Sequence, residues 1–265
     1  MRAFLTIICL WFSLPAMACG PDTDCMVANR SYRLYLPPDL GDAPVGALFF
    51  AHGYKGNAAG EMRNKALRAL ADGLGVALIA LASAGDDWQL AHTPQEPDRT
   101  DAAEAGYVAA VLADVKIRHA LDPTRTVLAG FSAGGMMSWT MACEISQDFA
   151  GFVPMSGTFW GPEPATCTSA PANVIHIHGT KDTTVPLTGR AIGATRQGNV
   201  PKVLAMYAAY GLYVATGEAT GPAGLTCAQS TNPAGKRLEI CTFPGGHDFS
   251  TERLRYGYQR AIGGG

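Results

Sequence analysis

Ser132 stands at the centre of Gly130-Phe131-Ser132-Ala133-Gly134, between an apolar run ending at Ala129 and a Met-rich apolar run beginning at Met136. A serine hydroxyl is a weak nucleophile at neutral pH and needs a base within hydrogen-bond reach, itself oriented by an acid. Both types follow in that order: Asp182 in His178-Gly179-Thr180-Lys181-Asp182, and His247 in Phe243-Pro244-Gly245-Gly246-His247-Asp248. The chemistry such a set fits is acyl transfer. Ser132 attacks a carbonyl, His247 takes and returns the proton, and Asp182 fixes the imidazole tautomer. The flanking glycines have a steric reason, because any side chain at Gly130 or Gly134 would collide with backbone in a sharp strand-to-helix turn. With 31 glycines in the chain, the pentapeptide alone is only moderately specific. The downstream acid and histidine give it weight.

Each position has a competing role. Asp182 precedes Thr183-Thr184-Val185-Pro186 and would also suit a turn. Asp248 adjoins His247 in sequence, cannot easily reach its Nδ1, and is expected to cap the last helix. His176 and His178 alternate along a strand-like run and so share a face. Without a third ligand at metal-binding spacing they are expected to be structural, so no metal and no cofactor is implied. The charge that develops on an attacked carbonyl needs two donors. The run Ala47-Leu48-Phe49-Phe50-Ala51-His52-Gly53-Tyr54 ends in a glycine-bearing loop, and the backbone N–H groups of Tyr54 and Ala133 are the candidates. Trp160 and Trp88 fall on loops at the same expected edge and are candidate substrate walls, with anchoring of its own loop as the alternative for each and the stronger one for Trp88, whereas Trp139 is expected in the core.

The elements needed to position these residues alternate. Strand-like runs cover 31–36, 47–51, 76–81, the approach to Ser132, 152–155, the run around Val174, and 236–242. Helix-like runs cover 61–70, 103–119, 136–145, 203–210 and the stretch from Thr251. This alternation predicts an α/β fold with a mostly parallel central sheet flanked by helices, in a single domain at 19–265. Catalytic loops are then expected at the carboxyl edge of the sheet.

The chain resembles the esterase family of polyhydroxybutyrate depolymerases, related to feruloyl and acetylxylan esterases of the α/β-hydrolase superfamily. The residues carrying the likeness are Cys19-Gly20-Pro21 with Cys25, Tyr32-Arg33-Leu34-Tyr35-Leu36-Pro37, His52-Gly53-Tyr54, the Ser132 pentapeptide, His176-Ile177-His178-Gly179-Thr180 with Asp182, and Gly246-His247. The resemblance implies an α/β-hydrolase fold and a secreted carboxylic-ester hydrolase using Ser132, Asp182 and His247. Tyr54 departs from the small residue or cysteine often found after His-Gly, which bears on polymer specificity rather than on the chemistry.

Residues 1–18 read as a secretory signal peptide: Arg2, an apolar stretch from Ala3 to Leu14, then Ala16-Met17-Ala18 as the cleavage site. Beyond Cys9, six cysteines remain, and their spacing predicts the pairs Cys19–Cys25, Cys143–Cys167 and Cys227–Cys241 in an oxidising compartment, periplasmic or extracellular. No later run is long and apolar enough to span a membrane. A formal net charge of −2 without basic stripes argues against nucleic acid as a partner. No linker or appended module interrupts the sequence. The expected substrate is therefore a small or polymeric ester: hydroxyalkanoate oligomers or amorphous polymer first, with plant cell-wall feruloyl or acetyl esters as the alternative. A secreted peptidase and a non-catalytic binding protein are the readings of other classes.

Overall fold

The computed structural model describes residues 19–41 and 43–263. The expected signal peptide at 1–18 lies outside the described residues. In chain order the elements are β1 Cys25–Val27, β2 Arg30–Tyr35, β3 Val45–Ala51, α1 Ala58–Arg63, α2 Lys65–Leu74, β4 Val76–Leu81, α3 Ala102–Arg118, β5 Leu121–Phe131 and α4 Ala133–Glu144. They continue as β6 Gly151–Met155, β7 Trp160–Gly161, β8 Asn173–Gly179, β9 Arg190–Ile192, β10 Thr195–Gln197, α5 Val200–Gly211, β11 Val214–Thr220, β12 Thr226–Thr231, β13 Arg237–Phe243 and α6 Thr251–Ala261.

The main sheet has the order β1-β2-β4-β3-β5-β6-β8-β13-β12-β11. Its middle, from β4 to β13, is parallel, and antiparallel hairpins extend both ends. The sequence explains the middle: β3 (VGALFFA), β4 (VALIAL) and β6 (GFVPM) are apolar throughout and buried throughout, as parallel strands covered on both faces must be. The pleat of β3 divides the core in two. Phe49 packs toward α3, α4 and α5, and Leu48 and Phe50 pack toward α1, α2 and α6. The expected mostly parallel α/β sandwich is what forms.

Four local features differ from what was expected. The helix anticipated over 61–70 is two helices, because Asn64 leaves helical geometry and its side-chain oxygen accepts from the N–H groups of Ala66 and Leu67 to start α2. A β11–β12 hairpin not anticipated from the sequence is added beyond β13, and β7, β10 and β9 form a small separate sheet. Asp248 does not cap α6. Ser250 does so, through Arg253 N–H, while the Asp248 carboxylate pairs with the Arg253 guanidinium. All three expected cysteine pairs are joined, Cys227 and Cys241 as direct cross-strand neighbours of β12 and β13.

Candidate active site

Strand β5 ends in a backbone conformation that few residues adopt. Ser132 has φ 60° and ψ −120°, and α4 starts at the next residue. The turn closes because Gly130 and Gly134 lie against main chain: a Cβ on Gly130 would sit 2.1 Å from the Gly134 carbonyl oxygen, and one on Gly134 would sit 1.9 Å from that of Ala51. Such strain costs on the order of 1–3 kcal/mol and persists only where packing over-determines it. Here α4 supplies that packing, since every residue from Ala133 to Cys143 is buried. Ser132 itself stays half-buried at the carboxyl edge.

Asp182 and His247 reach the same edge because the pairing of their parallel strands continues past the strand ends. Beyond β8 and β13, Thr180 N–H donates to Phe243 O at 2.9 Å and Lys181 N–H to Gly245 O at 2.8 Å. Further along the sheet, Ser132 N–H donates to Met155 O at 2.9 Å and Ser156 N–H to Ile177 O at 2.8 Å, which ties each loop to the next. The result is that His247 Nδ1 lies 2.7 Å from Asp182 Oδ2, with Asp182 fully buried in its side chain and His247 18% exposed. The two oxygens of Asp182 have different partners. Oδ1 accepts from Thr184 N–H at 2.9 Å and Val185 N–H at 2.8 Å, forming the turn, and Oδ2 faces the imidazole. Phe131, the residue before Ser132, lies against the His247 ring with centroids 4.6 Å apart.

The loop after β3 borders the same point. A Cβ on Gly53 would lie 3.5 Å from Ser132 Cβ. The loop is held by Lys55 N–H to Asp86 O and Gly56 N–H to Gly53 O. Among the described residues, the Tyr54 and Ala133 N–H groups donate to no protein acceptor. His52, whose Nδ1 lies 2.8 Å from Gly53 O and whose Nε2 accepts from Ser83 N–H at 3.2 Å, is a neutral strut, since burial lowers its pKa.

The tryptophans do not form an exposed wall. Trp88 is 2% exposed and its indole N–H donates to His52 O at 2.9 Å, so it anchors the Tyr54 loop from beneath. Trp160, 9% exposed, lies on β7 and borders a small cavity of about 90 Å³ with Leu90 and Phe159. The aromatic that faces solvent is Tyr54, 53% exposed. It borders a cavity of about 250 Å³ with Asp86, Asp87, Gln95, Glu96 and Arg99, and the buried Trp88 also lines it. Burial pushes the Asp87 carboxyl up to about 6. Trp139 is core, as expected.

His176 and His178 are not a metal pair, because they bond each other. Their nitrogens, Nε2 of His176 and Nδ1 of His178, lie 3.0 Å apart, and both side chains are wholly buried. Sequence parity placed them on one face. It gave no sign that Trp139 and Val185 would complete a chain of bonds through them. Among the described residues, Cys227, Glu239 and Cys241 come together as a metal-like group, but the two sulfurs are already joined to each other.

A family model described as phospholipase/carboxylesterase matches residues 88–196, which contain Ser132 and Asp182. NocK of Nocardia uniformis subsp. tsuyamanensis, a protein named as an esterase, is 32% identical over 164 residues, 61% of this chain and 47% of its own. The bifunctional acetylxylan esterase/xylanase XynS20E of Neocallimastix patriciarum is 28% identical over 159 residues, 58% of this chain and 22% of its own. The chain thus spans under half the length of these curated relatives. In structure it is similar to acetyl xylan esterase from Aspergillus awamori, with TM-score 0.63, 15% identity, and coverage of 94% of this chain and 97% of that one. The chain has the α/β-hydrolase fold, and its residues 88–196 carry the pattern of the phospholipase/carboxylesterase family.

Proposed function

We propose that the protein is a serine carboxylic-ester hydrolase in which Ser132 is the nucleophile, His247 the general base and acid, and Asp182 the group that orients His247. The observation that carries this is the 2.7 Å bond between His247 Nδ1 and Asp182 Oδ2, residues 65 apart in sequence, beside a serine held in a strained turn. With Nδ1 donating to Asp182, His247 Nε2 is left as the acceptor for the Ser132 proton. Ser132 Oγ adds to the ester carbonyl, and the Tyr54 and Ala133 N–H groups receive the resulting oxyanion. His247 then protonates the departing alcohol. Water, deprotonated by His247, cleaves the acyl-serine in the reverse sequence. The family match and the esterase names of the relatives support the same reaction class.

Two substrate readings divide on the cavity beside Tyr54. The sequence resemblance favours hydroxyalkanoate oligomers or amorphous polyhydroxybutyrate. The cavity itself, bordered by Asp86, Asp87, Gln95, Glu96 and Arg99, offers several partners for hydroxyl groups. That favours an ester whose alcohol or acyl part is hydroxyl-rich, such as an acetyl or feruloyl ester of plant polysaccharide. Three joined cysteine pairs support action outside the cytoplasm, in the periplasm or medium. Among the described residues no helix is long and apolar enough to cross a membrane.

The test is to follow 3-hydroxybutyrate released from amorphous polymer, ferulate from methyl ferulate and acetate from acetylated xylan, using the protein and Ser132→Ala in parallel. Serine-dependent release of one product selects the substrate. Release that survives Ser132→Ala removes the nucleophile assignment. Covalent labelling of Ser132 by a fluorophosphonate without any ester cleavage would move the protein to the peptidase class, and no labelling at all to a non-catalytic binder.

A further inference from the structure

Beneath Asp182 runs a chain of hydrogen bonds that the proposed reaction does not use. It begins at the indole N–H of Trp139 on α4, 3.1 Å from His176 Nδ1. It passes from His176 Nε2 to His178 Nδ1 at 3.0 Å and ends at His178 Nε2, 2.8 Å from Val185 O and 3.5 Å from Asp182 Oδ2.

The two ends fix its direction. An indole nitrogen only donates, so His176 Nδ1 is the acceptor and the ring's proton sits on Nε2. That proton occupies His178 Nδ1, which places the proton of His178 on Nε2. The terminal carbonyl and carboxylate only accept, so they close the series. No other assignment of protons on two neutral rings satisfies every bond. Neutrality follows from burial, which lowers the pKa of both rings, that of His176 farthest. The charged or titratable groups acting on them are few: His178 on His176, and Asp182 and His247 on His178.

We propose that His178, its tautomer set by His176 and Trp139, is a positioning residue that fixes Asp182 against His247; this rests on the assignment of those two residues made above. It acts by two routes. His178 Nε2–H holds Val185 O, while the N–H of that same Val185 holds Asp182 Oδ1 at 2.8 Å, so the relay clamps the acid's turn. The same Nε2–H also faces Oδ2, the oxygen that receives His247. A one-residue slip of β8 would turn both histidines to the other face and remove the clamp. No proton needs to travel along the chain. Its work is to leave one orientation open to the carboxylate.

The experiment compares His178→Leu, His178→Gln and His176→Phe with the parent protein on p-nitrophenyl acetate, measuring kcat, KM and the pH dependence of kcat. His178→Leu keeps similar bulk without either nitrogen and is expected to lower kcat on the order of a hundredfold, as an angstrom-scale misplacement does. KM should stay within about twofold, since the residue does not touch substrate. The pH dependence of kcat should change as well, because the acid that orients the general base is no longer held in one place. His178→Gln restores a donor near Nε2 and should recover about tenfold of the loss, and His176→Phe should fall between. A folded His178→Leu with the parent kcat and pH curve overturns the proposal. Should that variant fail to fold, nitrogen-resolved NMR of the parent protein decides: both rings neutral with protons on Nε2 from about pH 5.5 to 8.5 supports it, and an Nδ1–H tautomer in either ring overturns it. Fluorophosphonate labelling of Ser132 separates the two levels. Normal labelling lost in Ser132→Ala with a normal His178→Leu removes only the relay, whereas activity persisting in Ser132→Ala removes the triad reading itself.

Discussion

Asp182→Asn tests the site more sharply than removal of the side chain, because the structure dictates which way the new amide must face. Oδ1 accepts two backbone N–H bonds, at 2.9 and 2.8 Å, and Oδ2 accepts from His247 Nδ1 at 2.7 Å. An asparagine oxygen placed at Oδ1 keeps both turn bonds and turns its NH₂ toward His247. His247 Nδ1 must then accept, its proton moves to Nε2, and Nε2 can no longer take a proton from Ser132. The same NH₂ would also oppose the His178 Nε2–H, 3.5 Å from Oδ2. The flipped amide keeps the useful tautomer but sets NH₂ against two N–H groups. Losing two neutral hydrogen bonds costs roughly 1 kcal/mol each, with desolvation of the orphaned donors adding to it, for a total of about 3 kcal/mol. At 1.36 kcal/mol per decade, the productive form would be on the order of one per cent of the enzyme. The expected fall in kcat is therefore at least about a hundredfold, toward the roughly ten-thousandfold loss typical of a wrongly tautomerised triad histidine. Hydrolysis of p-nitrophenyl acetate by protein whose fold is checked by circular dichroism measures it. A correctly folded Asp182→Asn within about fivefold of the parent kcat would refute the orientation argument.

Tyr54→Ala should leave hydrolysis within a few fold, because the proposed donor is the main-chain N–H, whereas Tyr54→Pro removes that donor and should cost about a hundredfold or more in kcat on the same ester. Gly134→Ala would force a Cβ to within 1.9 Å of the Ala51 carbonyl oxygen, main chain against main chain, and should destabilise by about 3 kcal/mol or more, read by calorimetry as a Tm lower by roughly 6–12 °C. Asp87 carries a carboxyl raised from its ordinary 3.8 to about 6, first by burial and further by the charges of Glu104 and Asp86, against the Trp88 N–H bond that lowers it. The folded state therefore holds that proton more tightly than the unfolded chain, and this contribution to stability is lost as pH rises from about 4 to about 6. Asp87→Asn should accordingly raise Tm at about pH 8 and not at about pH 4; an equal shift at both would refute the assignment.

What the sequence revealed was the part encoded in short apolar runs. Ser132, Asp182 and His247 each follow a strand whose residues announce it, so their common edge could be inferred before any geometry was known. The sequence left open features decided by distant neighbours. Trp88 could be read as a substrate wall or, more readily, as an anchor of its own loop, and its spacing did not show that the anchoring partner would be His52, 36 residues away, whose carbonyl oxygen accepts from its indole N–H. Strand β11 escaped notice because its residues, VATGEAT, are nearly all exposed and lack the apolar alternation that marks a packed strand. The break at Asn64 interrupts an otherwise regular helical pattern, and only the capping bonds to Ala66 and Leu67 distinguish a new start from a tolerated interior residue. His176 and His178 lie between these cases. Their shared face was legible from spacing two apart, while their bonding to each other depends on α4 and on the Val185 turn.

The site is held by two kinds of constraint, and the difference predicts where substitution will be tolerated. Ser132 is fixed sterically: its strained φ is enforced by glycines packed against the main chain of β3 and β6, so the turn has little room to adjust. Asp182 and His247 are fixed by hydrogen bonds between loops, with Thr180 and Lys181 tied to the strand and loop that carry His247. A steric lock fails all at once and takes stability with it. A bonded lock can lose one contact, keep the fold and lose only alignment. Substitutions around Gly130 and Gly134 should therefore lower Tm and activity together, whereas those around His176, His178 and Val185 should separate the two, sparing Tm more than kcat. The reverse pattern, with the loop variants unfolding and the glycine variants folded but inactive, would mean that the bonds between loops, rather than the packed turn, carry the stability of this edge.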